Sequence, residues 1–146
     1  MKAFSFRLEK ALDWRRQQLE LEENRYRRQA AALADLDRAR ADLEASAIRA
    51  EVQVRTWTPL AGRDLSALAR FREYVSHTEQ TLAARRAACE RQLREQEKVM
   101  MEARRRCRLL ERLRERRWEQ WRVDCDREWE QFAAECFLAG VARQRS

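Results

Sequence analysis

The sequence predicts an all-α protein, a long antiparallel two-helix coiled coil (an α-hairpin) in which the second helix overhangs the first. Strong helix formers, Ala, Leu, Glu, Arg and Lys, make up 89 of the 146 residues, a composition typical of coiled coils. Two glycines and one proline leave too few turns for a β-sandwich or a βαβ fold. Because 39% of the residues are charged, we expect burial in a seam between helices. Disorder is the alternative for so charged a chain, and the apolar periodicity argues against it.

The first helix is predicted over about residues 5–57, with Ser5 as its N-cap. A heptad pattern runs from Leu8 to Trp57, and eleven of its fifteen core positions are apolar. The polar core positions are Arg15, Glu22, Gln29 and Arg40. Because polar core residues weaken a coiled coil, we expect the first half of this helix to pack loosely, or to face something other than its partner helix.

The turn is predicted at residues 58–64. Pro59 is compatible with a turn but not with a helix interior, Gly62 tolerates positive φ, and Asp64 is a candidate N-cap for the next helix. So short a connection joins antiparallel neighbouring helices.

The second helix is predicted over about residues 65–139, with Gly140 marking its end, and residues 1–146 form one elongated domain. Its apolar residues repeat every seven positions, and the phase shifts by four after Cys89, a stutter that locally unwinds a coiled coil. The positions are Leu68, Val75, Leu82 and Cys89, then Leu93, Met100 and Cys107. With the fold at the turn, residue i faces roughly residue 121 − i, so the second helix is expected to overhang from Trp118 onward.

The charge divides the end of the second helix in two. Residues 104–117, the arginine segment, hold eight arginines and two glutamates, and residues 118–135, the aromatic segment, have a net charge of −4. Trp118, Trp121, Trp129 and Phe132 share one helix face in the aromatic segment. Exposed aromatic residues mark interaction sites, so we predict partner binding here. The alternatives are that these rings pack on Phe4 and Phe6, or that the segment self-associates.

The arginine segment has three interpretations: a solvated face, a surface that docks on an acidic protein, or a nucleic-acid site that neutralises phosphates. The neighbouring acidic residues and the lack of a DNA-binding motif argue against nucleic acid. A second candidate surface is the Tyr74 cluster (Phe71, Tyr74, Val75 and Thr78) on the second helix. Val75 belongs to the predicted seam, whereas Tyr74 lies beside it.

No residues with catalytic spacing are found, so the chain is not expected to be an enzyme or to need a cofactor or a metal. The single histidine, His77, has no nucleophile beside it and is expected at the surface. The four cysteines, Cys89, Cys107, Cys125 and Cys136, fall on one helix face and are expected to act as small apolar seam residues. No apolar run reaches the roughly 18 residues of a transmembrane helix, and no signal peptide is evident, so a cytoplasmic location is expected.

Several short segments of the chain match motifs of a known protein family. The start of the chain, FSFRLEKAL from Phe4 to Leu12, resembles the FxFxLExxL start of the FliJ family of flagellar export proteins, and the break near residue 60 lies where that family turns. Phe71, Tyr74 and residues 78–82 resemble its aromatic entry to the second helix. Residues 130–133, EQFA, resemble a short motif near its end. The agreement in length and architecture covers the whole chain.

The resemblance implies a stalk like that of rotary ATPases, in the cytoplasm and peripheral at the inner face of the cell membrane, that serves type III flagellar export and motility. Its partners would be the export ATPase hexamer, an export gate protein and export chaperones, with no direct nucleic-acid contact. To the ATPase we assign Arg104, Arg105, Arg106, Arg108, Trp118, Trp121, Trp129 and Phe132; to the gate, the Tyr74 cluster. An injectisome stalk and a generic basic coiled coil, structural or nucleic-acid-binding, are the alternatives.

Overall fold

Two long helices pack against each other in the computed structural model, which describes residues 3–59 and 61–144. They are α1 (Glu9–Arg55) and α2 (Gly62–Gln144), and no strand occurs in the described parts of the chain. The predicted α-hairpin is therefore confirmed. Contacts group the described residues into two compact units: unit 1 contains residues 3–20 and 102–144, and unit 2 contains residues 21–59 and 61–101.

In unit 2, polar contacts between the helices establish an antiparallel register. As the α1 residue number rises, the α2 residue number falls, as expected for helices that run in opposite directions. The contacts are Gln96 Nε2 to Glu22 O (3.3 Å), Cys89 Sγ to Gln29 O (3.7 Å), Arg86 Nε to Asp37 Oδ1 (2.6 Å) and Arg72 Nε to Glu51 Oε1 (3.0 Å). The paired residue numbers add up to 118 or 123, close to the predicted 121.

Unit 1 has the same antiparallel arrangement. Arg114 Nε donates to Glu9 Oε2 at 3.0 Å, and Arg16 Nε donates to Glu111 Oε1 at 3.3 Å. These residue numbers add up to 123 and 127. The second helix of this unit therefore continues well beyond the residues that α1 faces, as the sequence predicted.

The buried residues follow the predicted seam. Leu12 is completely buried, and Val75, Met100 and Cys107 are nearly so. Most other predicted core positions are half-buried, including Glu22 and Gln29, but Arg40 is exposed and pairs with Glu44 of its own helix at 3.2 Å. Leu8 and Trp57 are also exposed, and each lies outside the bounds of α1.

The start of the second helix differs from the prediction. The helix begins at Gly62, not at residue 65, and Asp64 is not the N-cap. Instead, the Asp64 carboxylate accepts a hydrogen bond from the backbone N–H of Ala61 at 3.1 Å, while Ala61 O accepts from the N–H groups of Asp64 and Leu65. Asp64 therefore reaches back to the cap residue, as the third residue of a capping box does. Gly62 has no positive φ, and Leu60 of the predicted turn lies outside the described residues.

Three other predicted boundaries were also displaced. Ser5 is not an N-cap, because α1 begins at Glu9, whose N–H donates to Phe6 O at 3.0 Å. At its other end α1 stops at Arg55, where the Thr56 hydroxyl donates to Gln53 O at 2.7 Å and tightens the last turn. Gly140 does not end α2, which continues to Gln144. A glycine ends a helix when it adopts positive φ, and Gly140 does not.

Truncation of Leu12 should destabilise the protein, because its side chain is 0% exposed. We expect Leu12→Ala to lower the free energy of unfolding by about 2–5 kcal/mol, measured by urea denaturation followed by circular dichroism. Leu109, which is 57% exposed on α2 of the same unit, is the matched control, and Leu109→Ala should change stability by less than about 0.5 kcal/mol. Equal effects of the two substitutions would contradict the assigned seam.

Candidate functional site

An 11-residue repeat organises the face of α2 in unit 1. Three series share this spacing: Cys107, Trp118 and Trp129; Leu110, Trp121 and Phe132; Arg114, Cys125 and Cys136. Eleven residues make three turns of ~3.67 residues each, close to the geometry of a straight α-helix. The tryptophans therefore lie on the same face that Cys107 presents to α1.

The cover over this face decreases along the helix. Cys107 is buried, Trp121 and Cys125 are half-buried although Trp118 before them is exposed, and Trp129, Phe132 and Cys136 are exposed. Beyond the first helical turn of α1, this face of α2 is covered by residues 3–8, which precede α1 in the chain. There the Phe4 ring lies 5.8 Å from the Trp121 ring at an interplanar angle of 55°. Residues 3–8 and α2 enclose a cleft of about 730 Å³ that reaches Asp124.

The structure thus assigns different surroundings to the four predicted aromatic site residues. Trp121 packs on Phe4, which was one of the alternatives raised by the sequence. Trp118 is exposed, and the Arg122 guanidinium lies 5.4 Å from its ring centre. Trp129 and Phe132 contact each other edge to face at 6.1 Å and remain 56% and 58% exposed. These two rings are the centre of the exposed part of the face.

The arginine segment divides into paired and unpaired side chains. Arg106 Nε donates to Glu102 Oε1 at 2.9 Å on the same helix, and Arg104 is half-buried. Arg105 and Arg108 are exposed and form no ion pair with the described residues. Their guanidinium groups are therefore among the donors of this segment that are open to a partner carboxylate or phosphate, together with those of the exposed Arg112, Arg116 and Arg117.

The Tyr74 cluster lies in unit 2 and is only partly accessible. Tyr74 is 60% exposed, with its ring 6.4 Å from the half-buried Phe71 ring. Val75 is buried in the seam, and the half-buried Thr78 donates its hydroxyl hydrogen to Tyr74 O at 2.7 Å. A partner at this surface would therefore contact the Tyr74 ring first.

The cysteines differ in environment. Burial raises the pKa of the Cys107 thiol, and the adjacent Glu111 carboxylate, 3.8 Å from Sγ, raises it further. Burial also raises the pKa of the Cys125 thiol, with added contributions from Glu128 and Asp126. Cys136 is exposed, so its assignment to a covered seam was wrong. The seam face reaches Cys136, but α1 does not.

Other apolar residues of this region were not identified as site candidates from the sequence. Val123, Phe137 and Leu138 are exposed, and they lie outside the 11-residue series, so the periodicity gave no signal for them. His77 is exposed, as expected. Among residues 3–59 and 61–144, no group of metal-ligating side chains comes together and no helix combines the length and apolar composition required to cross a bilayer.

Comparisons with protein-family models, curated proteins and solved structures found no match to this chain.

Thiol alkylation should follow the order of burial. Only the thiolate reacts, and it needs access, so we expect Cys136 to react first and Cys107 last, by at least tenfold, in the native protein at pH 8. Mass spectrometry of peptides after timed alkylation measures each rate, and urea-unfolded protein is the control in which the four rates converge. Rapid modification of Cys107 in the native protein would contradict the seam packing in unit 1.

Proposed function

We propose that this protein is a stalk-like component of the flagellar type III export apparatus that binds the export ATPase ring and the export gate and escorts export chaperones. The proposal places it in the cytoplasm and at the inner face of the membrane through its partners. It assigns no ATP hydrolysis to this chain. The observation that carries the proposal is that α2 continues past its cover and presents exposed aromatic rings directly beside a strongly basic segment.

The resemblance of the first residues, the turn and the later motifs to the FliJ family supports this system. The antiparallel hairpin is the architecture that the resemblance implies. Coiled coils with other roles share these general features, so the assignment to flagellar export depends on the motifs.

The chemistry of unit 1 suits a protein partner with an acidic rim and an apolar centre. Arg105 and Arg108 offer planar donor groups that bind carboxylates in a bidentate manner. Trp129 and Phe132 offer large apolar surfaces, and Trp and Arg are enriched among the residues that dominate interface energies. The acidic side chains of the aromatic segment disfavour nucleic acid by repulsion, which favours the ATPase over DNA as the partner.

The Tyr74 cluster gives the proposal a separate surface for the export gate. It belongs to unit 2, whereas the arginine and aromatic segments belong to unit 1. In the sequence, Tyr74 lies about 30 residues before Arg105 and its neighbours. Two partners could therefore bind the same chain through different residues.

Charge reversal of Arg105 and Arg108 should weaken ATPase binding. We expect Arg105→Glu with Arg108→Glu to reduce the affinity at least tenfold in co-purification or calorimetry with a flagellar export ATPase, because like charges would then meet at the interface. The matched control is Arg91→Glu with Arg94→Glu, an exposed pair on α2 with the same spacing. Helix content by circular dichroism should stay unchanged in both.

The outcomes separate the candidate functions. If charge reversal at the control pair weakens binding equally, the effect is one of net charge and the arginine segment is a solvated face. If the wild-type chain forms no ATPase complex and binds DNA in a salt-sensitive way, the nucleic-acid alternative replaces the stalk.

Removal of the exposed ring in unit 2 should affect the gate alone. We expect Tyr74→Ala to reduce binding to the cytoplasmic domain of an export gate protein by roughly tenfold, a typical loss for an aromatic anchor, and to leave ATPase binding unchanged. Leu65→Ala, which removes an exposed apolar side chain from the same helix, is the control. Retention of gate binding by Tyr74→Ala would remove this surface from the proposal.

A further inference from the structure

We infer that residues 3–8 form a releasable strap, which detaches from α2 while α1 stays folded and thereby exposes Trp121. When closed, the strap is an autoinhibitory contact, because it occupies a ring of the aromatic face of α2 (Trp118, Trp121, Trp129 and Phe132). The detachment rests on the packing of unit 1 alone. The competition between the strap and a partner rests on the proposed function, which assigns Trp121 to the ATPase contact.

The strap differs from α1 in backbone conformation. Residues 3–6 form no helical turn, and α1 begins only at Glu9, whose N–H donates to Phe6 O at 3.0 Å. The cleft beside the strap extends from Leu113 to Asp124 on α2, about 16 Å of helix at ~1.5 Å per residue. Six helical residues would span only about 9 Å. The non-helical backbone therefore lets the strap reach farther along α2 than the same residues could as part of α1.

The side chains of the strap alternate in exposure. Phe4 and Phe6 are half-buried, whereas Ser5 and Arg7 are exposed. The Phe4 ring lies 5.8 Å from the Trp121 ring, a separation at which two aromatic rings attract each other. This part of the aromatic face therefore already binds an aromatic side chain, which the same chain supplies.

The start of α1 has contacts of its own that do not involve the strap. Leu12 is completely buried, and Glu9 Oε2 accepts a hydrogen bond from Arg114 Nε at 3.0 Å. Arg114 also contacts the strap, since its guanidinium carbon lies 5.8 Å from the centre of the Phe4 ring. Release of Phe4 breaks the second contact of Arg114 and leaves the first, so the start of α1 can stay in place while the strap moves.

The strap is packed less completely than α1. A cleft of about 730 Å³ lies between the strap and α2, and Leu8, the last residue of the strap, is 38% exposed. Protein interiors leave few gaps of this size, because unfilled space forfeits dispersion contacts. The strap is therefore held less firmly than the seam, where Leu12 is fully enclosed.

Release of the strap changes which rings the aromatic face offers. With the strap closed, Trp129 and Phe132 are exposed and Trp121 is half-buried. With the strap released, Trp121 joins them, since it belongs to the same 11-residue series as Phe132. A partner that needs Trp121 must displace the strap, and its apparent affinity is lowered in proportion to the fraction of molecules in which the strap is released.

Native-state proteolysis of the full chain tests the detachment. A protease cleaves a segment only after that segment opens, so chymotryptic cleavage after Phe4, identified by mass spectrometry, reports on the strap. We expect Trp121→Ala to accelerate this cleavage about tenfold, because it removes the ring that holds Phe4. Trp129→Ala, which removes a ring of the same face outside the cleft, is the matched control and should leave the rate unchanged.

The urea dependence of the cleavage distinguishes local release from global unfolding. Release of the strap exposes little surface, so urea should accelerate the cleavage only weakly. Circular dichroism in the same urea series shows that each variant is folded. The detachment is wrong if Trp121→Ala is cleaved no faster than Trp129→Ala, or if the urea dependence is as steep as that of helix unfolding.

The affinity for a flagellar export ATPase, measured by calorimetry, tests the competition. We expect Phe4→Ala to bind roughly threefold more tightly than the wild-type chain, and to bring no gain in a chain that also carries Trp121→Ala. Ser5→Ala, which changes an exposed residue of the strap, is the control and should bind as the wild type does.

Unchanged or weaker binding by Phe4→Ala would overturn the autoinhibition and leave the proposed function standing. Absence of a complex with both the wild-type chain and Phe4→Ala would overturn the proposed function and the competition together. The detachment is decided by proteolysis in either case, because that measurement needs no partner.

Discussion

The packing of α1 along one face of α2 is the contact on which every other feature depends. This face of α2 is longer than α1, so α1 covers only part of it. The first helix has 47 residues and the second has 83. Few side chains are fully buried, since the charged composition leaves a narrow apolar stripe on each helix. Stability therefore comes from partial burial along a long seam, and whatever the seam does not cover is left as an exposed apolar surface.

The polar contacts of the seam determine which residues face each other. Pairs such as Glu9 with Arg114 and Asp37 with Arg86 are partly exposed to solvent and contribute little to stability, but they favour one alignment of the helices. The pKa of Arg86 is raised by its hydrogen bond to Asp37 and by the nearby Glu90 carboxylate. Gln29 Oε1 is buried and accepts no hydrogen bond within the described residues. Polar groups in a coiled-coil core commonly specify alignment at a cost in stability.

The sequence predicted the features that repeat. The heptads placed Leu12, Val75 and Met100 in the seam, and the turn position placed Glu9 opposite Arg114 to within a few residues. Features that depend on one local conformation were missed. The Asp64 carboxylate accepts a hydrogen bond from Ala61, which precedes it, instead of capping the residues that follow it, and Gly140 stays helical. These choices depend on backbone angles that residue type alone does not determine.

The candidate site was predictable in position but not in accessibility. The overhang followed from the unequal helix lengths, and the aromatic spacing identified its face. Which rings are covered depends on residues 3–8, which lie more than 110 positions away from Trp121 in the chain, so the sequence raised packing on Phe4 only as one of several alternatives. The function of such a surface is less predictable still, because the side chains that bind partners on a coiled coil need no special spacing.

The separation in sequence between paired residues also predicts the order in which the contacts of the hairpin form. Glu51 and Arg72 are 21 positions apart, Asp37 and Arg86 are 49 apart, and Glu9 and Arg114 are 105 apart. Closing a longer loop costs more chain entropy, by about 0.6 kcal/mol for each doubling, and once the contacts near the turn have formed, each later one closes only a short additional loop. The helices are thus expected to zip from the turn outward during folding. The contacts of Phe4 and Glu9 would then form last and open first, so the chain segment beside the aromatic face belongs to the least protected part of the molecule towards hydrogen exchange.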